Sequence, residues 1–269
     1  ATGGDEVTAG TIVTTAEDHT LYAQWKINQY TITFEIGGGS VVEPITQDYG
    51  TNVTAPAEPT KTGYTFKGWG QEIPTTMPAE NITITAQWTV VEYGITYNLA
   101  GGINDGDNPA TYTIEDETIT LKAATKTGYT FAGWYDAEES GSKVEAIAKG
   151  TTGDIDLYAY WAPNTNTVYK VEHYQQNIDG DDYTLKDTDN LTGTTDTTAT
   201  ATAKVYTGFT ENIDHESRVA SGDIVADGSL VLKLYYDRVI FDVCFNSNGG
   251  SPVSDIIGVR YEATIDKPV

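Results

Sequence analysis

The chain has 269 residues, of which 39 are acidic and 15 are basic, giving a formal net charge of −24 at pH 7. A surface this acidic repels nucleic-acid phosphates and anionic membranes, which argues against nucleic acid as a partner. No apolar run is long enough to insert into a bilayer, and the single cysteine, Cys244, excludes an intramolecular disulfide framework.

The composition favours strands and turns. The chain contains 27 glycines and 18 tyrosines, is rich in threonine, and has a single methionine. Tyrosine and threonine favour strands, glycine favours turns, and long amphipathic helices are not expected. Prolines before the central motif described below limit any helix there to about one turn.

The first predicted element is a closing strand that recurs along the chain. Leu21-Tyr22-Ala23-Gln24-Trp25 matches residues 84–88 and residues 157–161, and each copy ends in tryptophan. Large apolar residues alternate with small or polar ones, a pattern typical of a half-buried strand.

The second predicted element is an opening strand followed by a glycine turn. Residues 30–34 precede Gly37-Gly38-Gly39, residues 93–97 precede Gly101-Gly102, and residues 241–245 precede Gly249-Gly250. Two-residue alternation that ends in a glycine turn predicts a strand and a hairpin.

The third predicted element is a central motif. Gly-Tyr-Thr-Phe-Lys-Gly-Trp at residues 63–69 returns as Gly-Tyr-Thr-Phe-Ala-Gly-Trp at residues 128–134. Six of seven positions are identical, so the two segments are internal repeats. A weaker copy, Gly-Phe-Thr, lies at residues 208–210.

Placed end to end, the motifs predict five segments. We expect the C-terminal part of a repeat at residues 1–27, complete repeats at 28–90 and 91–163, a divergent module at 164–238, and the N-terminal part of a further repeat at 239–269. Residues 162–167 are predicted to be a short linker.

The central motif together with the closing Leu-Tyr-Ala-x-Trp resembles the Listeria–Bacteroides repeat, the B-repeat of internalin-type surface proteins. The divergent module, which opens at residues 168–174, resembles a mucin-binding-protein type of the same repeat. The resemblance implies a mainly β fold of the α+β, β-grasp-like kind, with a small sheet over a short helix or loop. It implies tandem modules strung in an elongated chain on a bacterial surface, and no shared active site.

The recurring aromatic residues are candidate core residues. They are Trp25, Tyr64, Phe66, Trp69, Trp88, Tyr129, Phe131, Trp134 and Trp161. Small modules without disulfides need large buried side chains, so core packing is the favoured interpretation. Stacking of the tryptophans on sugar rings is the alternative.

Two acidic turns are candidate calcium sites, with Asp105 and Asp107 in one and Asp179 and Asp181 in the other. Oxygen ligands at alternate positions suit Ca²⁺, but neither turn matches a complete EF-hand loop, and Asp-Gly hairpin chemistry explains both. No other cofactor is expected. The three histidines lack zinc-site spacing.

The sequence therefore predicts an extracellular, secreted or cell-wall-attached bacterial surface protein that acts as a stalk, fibre or adhesin scaffold, with other copies or other surface proteins as partners. A glycan- or mucin-binding module is the alternative, with host or environmental glycans as partners. No nucleophile, phosphate-binding or dinucleotide motif indicates an enzyme. Incomplete end modules fit either a fragment of a longer chain or head-to-tail assembly into a filament. No signal peptide or anchoring tail is recognised, and any such signal is expected outside this sequence.

Overall fold

The structure is a computed structural model that describes residues 4–266. Within this range it contains strands and turns and no helix, so the expectation of a mainly β fold is confirmed. No helix between residues 4 and 266 is long and apolar enough to cross a membrane. Two compact units are present: residues 4–92 with 113–115, and residues 93–112 with 116–266.

The first unit is built around a four-stranded sheet. Its strands are β1 (Gln29–Glu35), β2 (Ile45–Asp48), β3 (Tyr64–Trp69) and β4 (Ile82–Val90). The order is β2-β1-β4-β3, with β1 and β4 parallel and the outer pairs antiparallel. The central parallel pair joins the opening strand to the closing strand of the same repeat.

The apolar positions of these strands form the core of the first unit. Ile32 and Phe34 alternate along β1 with exposed threonine and glutamate, and both are buried against Ile84 of β4. Met77, from the connection between β3 and β4, is 1% exposed and closes this core. A loop therefore covers the sheet where the resemblance allowed a short helix or a loop.

The second repeat has a five-stranded sheet with the same central pairing. The repeat contains seven strands, five of which form this sheet: β5 (Glu92–Asn98), β6 (Thr111–Thr113), β7 (Ile119–Thr120), β8 (Tyr129–Tyr135), β9 (Lys143–Val144), β10 (Ala146–Ile147) and β11 (Ile155–Pro163). The sheet order is β6-β5-β11-β8-β9, and β7 pairs with β10 separately. Strands β5 and β11 are parallel, and Trp134, Leu157 and Ile95 are buried in the core.

The divergent module repeats the arrangement a third time. Its strands are β12 (Thr167–Gln176), β13 (Tyr183–Gly193), β14 (Thr198–Thr200), β15 (Phe209–Glu211), β16 (Ser221–Asp223) and β17 (Val231–Arg238). The sheet order is β13-β12-β17-β15, with β12 and β17 parallel. Val171, Leu232 and Leu234 form the centre of its core. Because β11 ends at Pro163 and β12 begins at Thr167, the linker is shorter than predicted.

The last strands are β18 (Ile240–Val243) and β19 (Ile256–Arg260), which form an antiparallel hairpin. Arg260 attaches the hairpin to the divergent module, since its guanidinium donates to the Ile178 carbonyl at 3.1 Å and to Asp181 at 2.7 Å. Residues 267–269 of this predicted segment lie outside the described residues.

The strand predicted at residues 21–25 is not formed. Residues 4–28 contain no strand, and Leu21, Tyr22 and Trp25 are 70, 64 and 92% exposed. In each sheet described above the closing strand lies beside its opening strand, and no opening strand lies beside residues 21–25 in the described part of the chain. Residues 1–3 of the first predicted segment are outside the described residues.

Candidate functional site

The tryptophan at the end of each complete closing strand is held by the glycine turn of its own repeat. Trp88 Nε1 donates to the Ile36 carbonyl at 3.0 Å, and Trp161 Nε1 donates to the Leu99 carbonyl at 3.0 Å. A Cβ on Gly39 would lie 2.7 Å from the Trp88 ring, so a glycine is needed at that position. The N–H of each indole is therefore already hydrogen-bonded inside its own repeat, which favours a packing role over sugar binding for Trp88 and Trp161.

The Phe-x-Gly-Trp half of the central motif also packs inward. Trp134 is 2% exposed, its Nε1 donates to the Lys122 carbonyl at 2.8 Å, and its ring lies 5.3 Å from that of Phe131. In the first unit, Phe66 lies edge-on to Trp69 and Trp88 at 5.3 and 5.4 Å. Edge-to-face contacts of this kind add to the free energy gained by burial.

Trp25 is an exception among the proposed core residues. At 92% exposure it lies in no core, which contradicts its assignment from the sequence. The physical reason is that residues 21–25 belong to no sheet, so the indole has neither an opening strand nor a glycine turn to pack against.

The Gly-Tyr half of the central motif lies at a turn rather than in a core. Gly63 and Gly128 both have φ +76°, a conformation that favours glycine. The Gly63 carbonyl accepts from Val91 N–H and the Gly128 carbonyl accepts from Asn164 N–H, both at 2.9 Å. Each donor follows a closing strand, so the turn fixes the chain where it leaves the repeat.

In the second compact unit this turn is a joint between the second repeat and the divergent module. A Cβ on Gly128 would lie 2.5 Å from the Cβ of Ala226, and Thr195 Oγ1 donates to the Gly128 carbonyl at 2.9 Å. The Tyr129 hydroxyl donates to Asp196, and this carboxylate raises the pKa of the phenol. Tyr129, expected in a core, is therefore partly exposed and holds the joint.

The same local geometry occurs within the first unit. A Cβ on Gly63 would lie 2.8 Å from the Ile114 side chain, and the Tyr64 hydroxyl donates to Glu115 at 2.7 Å. The hydrogen bond to Glu115 raises the pKa of Tyr64. Tyr64, like Tyr129, is half-buried and uses its hydroxyl in a contact outside the sheet core.

A polar network fills one side of the divergent module. His173 is fully buried, with Nδ1 2.9 Å from the Tyr236 hydroxyl and Nε2 3.2 Å from Asp189. Lys204 Nζ donates to the other Asp189 oxygen at 2.6 Å, and this hydrogen bond holds the pKa of Asp189 below its ordinary value. The imidazole has no exposed surface and joins Tyr236 to Asp189 inside the module.

The opposite face of the same sheet carries an aromatic cluster. Tyr174 and Tyr235 are stacked at 5.0 Å, His215 stacks on Tyr235 at 3.7 Å, and Tyr183 packs edge-on against His215 at 4.7 Å. The Glu172 carboxylate that accepts from the Tyr174 hydroxyl raises the pKa of Tyr174 to about 12. Tyr235 is only 8% exposed, so the candidate sugar-binding surface of this module consists of Tyr174, Tyr183 and His215 with Glu172.

The candidate calcium turns are organised by their own hydrogen bonds. Asp105 Oδ1 accepts from Asp107 N–H at 2.9 Å, and Asp181 is paired with Arg260. Asp179 belongs to the same turn as Asp181. Across residues 4–266 no group of three or more His, Cys, Asp or Glu side chains is arranged to hold a metal ion. Calcium binding at Asp105, Asp107, Asp179 and Asp181 stays a prediction.

A surface groove lies beside the joint of the second unit. It has a volume of about 570 Å³ and is lined by Gly101, Ile103, Thr125, Lys126, Thr127, Tyr129 and Ala226. Lys126 lies 4.2 Å from the centre of the Tyr129 ring. The groove lining contains no carboxylate, histidine or cysteine.

The hairpin at residues 240–260 leaves apolar side chains in solvent. Ile240, Phe241 and Ile257 are 60, 43 and 69% exposed. Cys244 is an exposed free thiol, and its hydrogen bond to Asp255 raises its pKa. The sequence placed Cys244 on the face opposite Val243 and Phe245, a face that is exposed here.

Three features of the site were not identified from the sequence. The Tyr129–Asp196 contact and the His173–Asp189 network join residues that are distant along the chain, and neither has a local signature. The packing of Trp88 on Gly39 does have one, because a glycine turn and a closing tryptophan occur together in each complete repeat.

Two segments of the chain match a known protein family. A family model described as the Listeria-Bacteroides repeat domain matches residues 30–87 and 93–160. Streptococcal High Identity Repeats in Tandem domains 3-4 from a cell surface protein are similar at 19% identity and a TM-score of 0.21, over 51% of this chain and 99% of that one.

Three curated proteins are similar to the chain. Internalin H of Listeria monocytogenes is 36% identical over 148 residues, which is 51% of this chain and 26% of internalin H. A protein of Evansella cellulosilytica named for a membrane location is 33% identical over 181 residues, 64% of this chain and 26% of its own length. A second protein of that organism, named as Gly-rich and membrane-located, is 31% identical over 269 residues, 94% of this chain and 29% of its own length.

The chain thus spans between 26 and 29% of the length of these relatives. The sequence motifs and the match to the family model identify the same two segments. Residues 30–87 and 93–160 belong to the Listeria–Bacteroides repeat family.

Proposed function

We propose that the chain is part of an extracellular bacterial surface protein that acts as a stalk, fibre or adhesin scaffold and has no enzymatic activity. The proposal includes attachment to the cell wall and head-to-tail joining of copies into a filament. This proposal is based on the tandem sheets, in which the tryptophans of the repeat motifs pack inside their own repeat. Trp88, Trp134 and Trp161 each donate their indole N–H to a backbone carbonyl of their own repeat.

The joint at Gly128 supports a mechanical role. It ties the second repeat to the divergent module by the Asn164 and Thr195 hydrogen bonds and by Tyr129–Asp196. Several short hydrogen bonds around a glycine with no free space restrict rotation at the linker. A stalk or scaffold needs modules that hold their orientation under load.

Labelling of intact cells tests the location. Cells that express the native protein are treated with a membrane-impermeant biotin reagent or with protease, and the protein is detected in the treated and untreated fractions. We expect labelling and cleavage on intact cells. Protection on intact cells, with labelling only after lysis, would contradict a surface role.

Glycan binding by the divergent module is the second candidate function. The observation that favours it is the partly exposed set of Tyr174, Tyr183 and His215 beside Glu172, packed over the buried Tyr235. The chain's charge of −24 would oppose anionic sugars, so neutral mucin-type glycans are the expected ligands.

A glycan array with the whole chain tests this candidate. Binding that is lost in Tyr174→Ala, with the fold retained by circular dichroism, would support it. A matched control is Tyr160→Ala in the second repeat, which removes a stacked tyrosine outside the cluster. No binding to neutral mucin-type glycans would remove this candidate and leave the scaffold proposal unaffected.

A further inference from the structure

The joint between the second repeat and the divergent module is built from two turns. One is the Gly-aromatic turn, Gly128 and Tyr129, and the other is a docking turn, Thr195 and Asp196, which follows β13. Asn164 links them, because its N–H donates to the Gly128 carbonyl and its carbonyl accepts from Thr195 N–H, both at 2.9 Å. The Tyr129 hydroxyl donates to the Asp196 carboxylate. The docking turn is thus held through its backbone and through one carboxylate.

A second joint, between the divergent module and the last hairpin, has the same construction. Its Gly-aromatic turn is Gly208 and Phe209, and its docking turn is Tyr261 and Glu262, which follow β19. Val239 N–H donates to the Gly208 carbonyl, and the Val239 carbonyl accepts from Tyr261 N–H, both at 2.9 Å. Gly208 has φ 77°, against 76° for its counterpart in the second repeat. The backbone of the joint is therefore repeated within the second unit.

The donor to the carboxylate differs between the two joints. Phe209 has no hydroxyl, and an arginine takes over this role. Arg238 Nη1 donates to Glu262 and to the Tyr261 carbonyl, both at 2.8 Å, and the guanidinium carbon lies 4.7 Å from the centre of the Phe209 ring. The donor thus changes from a phenol to a guanidinium, whereas the carboxylate is kept.

The backbone of the docking turn indicates that the carboxylate is present for its side chain. Asp196 and Glu262 have φ of 64° and 67°, a region that residues with a Cβ rarely adopt. In the first repeat, glycine takes the same place in the turn after β2, and Gly50 has φ 77°. Glycine would adopt this conformation without strain, so an acid at both joints indicates that its contact offsets the strain.

The first unit contains the same side-chain contact. The Tyr64 hydroxyl donates to Glu115 at 2.7 Å. Ile114, the residue before this acid, packs on Gly63, as Tyr261 packs on the glycine of the second joint. Each of these three Gly-aromatic turns therefore meets a pair of residues whose second member is acidic.

We propose that this carboxylate is the specificity-determining contact of the joint, so that a Gly-aromatic turn accepts a module whose docking turn carries Asp or Glu. A tyrosine in the Gly-aromatic turn binds the carboxylate directly, and a phenylalanine does so through an arginine that covers its ring. This inference rests on the proposed scaffold function and names the contact that holds neighbouring modules in orientation.

The two donors predict different responses to salt. Arg238 and Glu262 form an ion pair at 2.8 Å in which the carboxylate is more than half exposed, so added salt weakens it. The Tyr129 hydroxyl is a neutral donor, and its bond to Asp196 depends much less on ionic strength. We therefore expect the second joint to loosen at high salt before the first one does.

Asp196→Gly in the whole chain is the first test, since glycine relieves the backbone strain and removes the carboxylate. Hydrogen exchange of the Thr195 amide, which donates to Asn164 across the joint, is the readout. We expect this exchange to become about tenfold faster, as for loss of a hydrogen bond to a charged group, while the β8 and β17 amides stay protected. Unchanged or slower exchange would show that the backbone alone holds the joint and would overturn the inference.

Tyr129→Phe removes the same hydrogen bond from the other side. The double variant with Asp196→Gly should therefore exchange at Thr195 no faster than Asp196→Gly alone, because the two substitutions break one contact. Residual dipolar couplings should fit one common alignment for the second repeat and the divergent module in the native chain and two in each variant. Additive effects, or one alignment throughout, would overturn the inference.

The second joint also supplies a rescue. Pro163 faces Tyr129 across β8 and β11, as Arg238 faces Phe209 across β15 and β17. Tyr129→Phe with Pro163→Arg copies the arginine arrangement, so it should restore the protection of Thr195 at low salt and lose it as salt is raised. Tyr129→Phe with Pro163→Gln is the matched control without a charge and should stay unprotected. Equal protection of these two double variants at every salt concentration would count against a role for the carboxylate.

These results are separable from a failure of the scaffold function. A joint that ignores the carboxylate leaves the labelling of intact cells unchanged. Protection of the native protein from that labelling would count against the surface role even where the joint behaves as proposed.

Discussion

A Cβ on Gly39 would lie 2.7 Å from Cζ2 of Trp88, a separation that real Cβ atoms do not show. The glycine turn that opens the repeat and the tryptophan that closes it are therefore one packing unit. Gly102 and Trp161 repeat this relationship in the second repeat. The contact explains why the two motifs occur together.

Gly39→Val should destabilise the first repeat. The valine would force Trp88 from its place on the turn and from its bond to the Ile36 carbonyl, and overpacking of this kind costs about 1–3 kcal/mol. Hydrogen exchange of the β1 and β4 amides would measure the loss. Gly250→Val is the matched control, since no indole lies there, and an equal effect of the two substitutions would refute the packing role.

Trp134→Ala should lower the free energy of unfolding of the second repeat, whereas Trp25→Ala should leave stability almost unchanged. Trp134 is 2% exposed and Trp25 is 92% exposed, and removal of a buried tryptophan costs about 3–5 kcal/mol. Hydrogen exchange of the β8 and β11 amides, measured as denaturant is added, gives the difference in stability between the two variants. Similar stability of the two variants would contradict the core assignment of Trp134.

Gly128→Ala should loosen the joint in the second unit without unfolding either sheet. An added Cβ meets Ala226 at 2.5 Å, and the positive φ adds strain. The Asn164 and Thr195 amides should exchange faster while the β8 and β17 amides stay protected. Gly150→Ala has a comparable φ of 87° with open space around it, so it reproduces the strain without the collision. Identical exchange in both variants would exclude a joint.

The pH dependence of the divergent module should follow Asp189 and Lys204. The hydrogen bond from Lys204 lowers the pKa of Asp189, so this stabilisation is present above the unfolded-state pKa of Asp189 and is lost as pH falls through the lowered folded-state pKa. The hydrogen bond to Asp189 raises the pKa of Lys204, so its stabilisation is present below the unfolded-state pKa and is lost as pH rises through the raised value.

Thermal unfolding across acid, neutral and alkaline pH measures this profile. In Asp189→Asn we expect a lower midpoint at neutral pH and a weaker dependence at both extremes. Asp179→Asn, in the exposed turn of the same module, is the control for a change of charge alone. A parallel shift of both variants at every pH would refute the ion-pair explanation.

The strands of the repeats could be predicted from the sequence because their signal is local. Alternation around Ile32 and Phe34 predicts β1, and the segment at residues 84–88 lies within β4. The mainly β fold and the repeat family are confirmed by the structure and the comparisons. The segment boundaries stay a prediction, as does the mucin-binding-like nature of residues 164–238.

What could not be predicted depends on distant partners. The alternation at residues 21–25 is as clear as at residues 84–88, yet a strand forms only beside another strand, and none lies there. The position of Tyr64 in the motif predicts a core residue, but its hydroxyl donates to Glu115 outside the core. His173 carries no local sign of its burial between Tyr236 and Asp189.

Exchange of the indole N–H protons tests the central claim that the tryptophans of the repeat motifs are packed inside their own small sheets. The five tryptophans give five resonances that can be followed separately after transfer to deuterated water. We predict slow exchange for Trp88, Trp134 and Trp161, whose N–H groups are bonded to backbone carbonyls, and fast exchange for Trp25 under conditions in which the chain is monomeric. Fast exchange of all five would show that the indoles face solvent and would contradict the account.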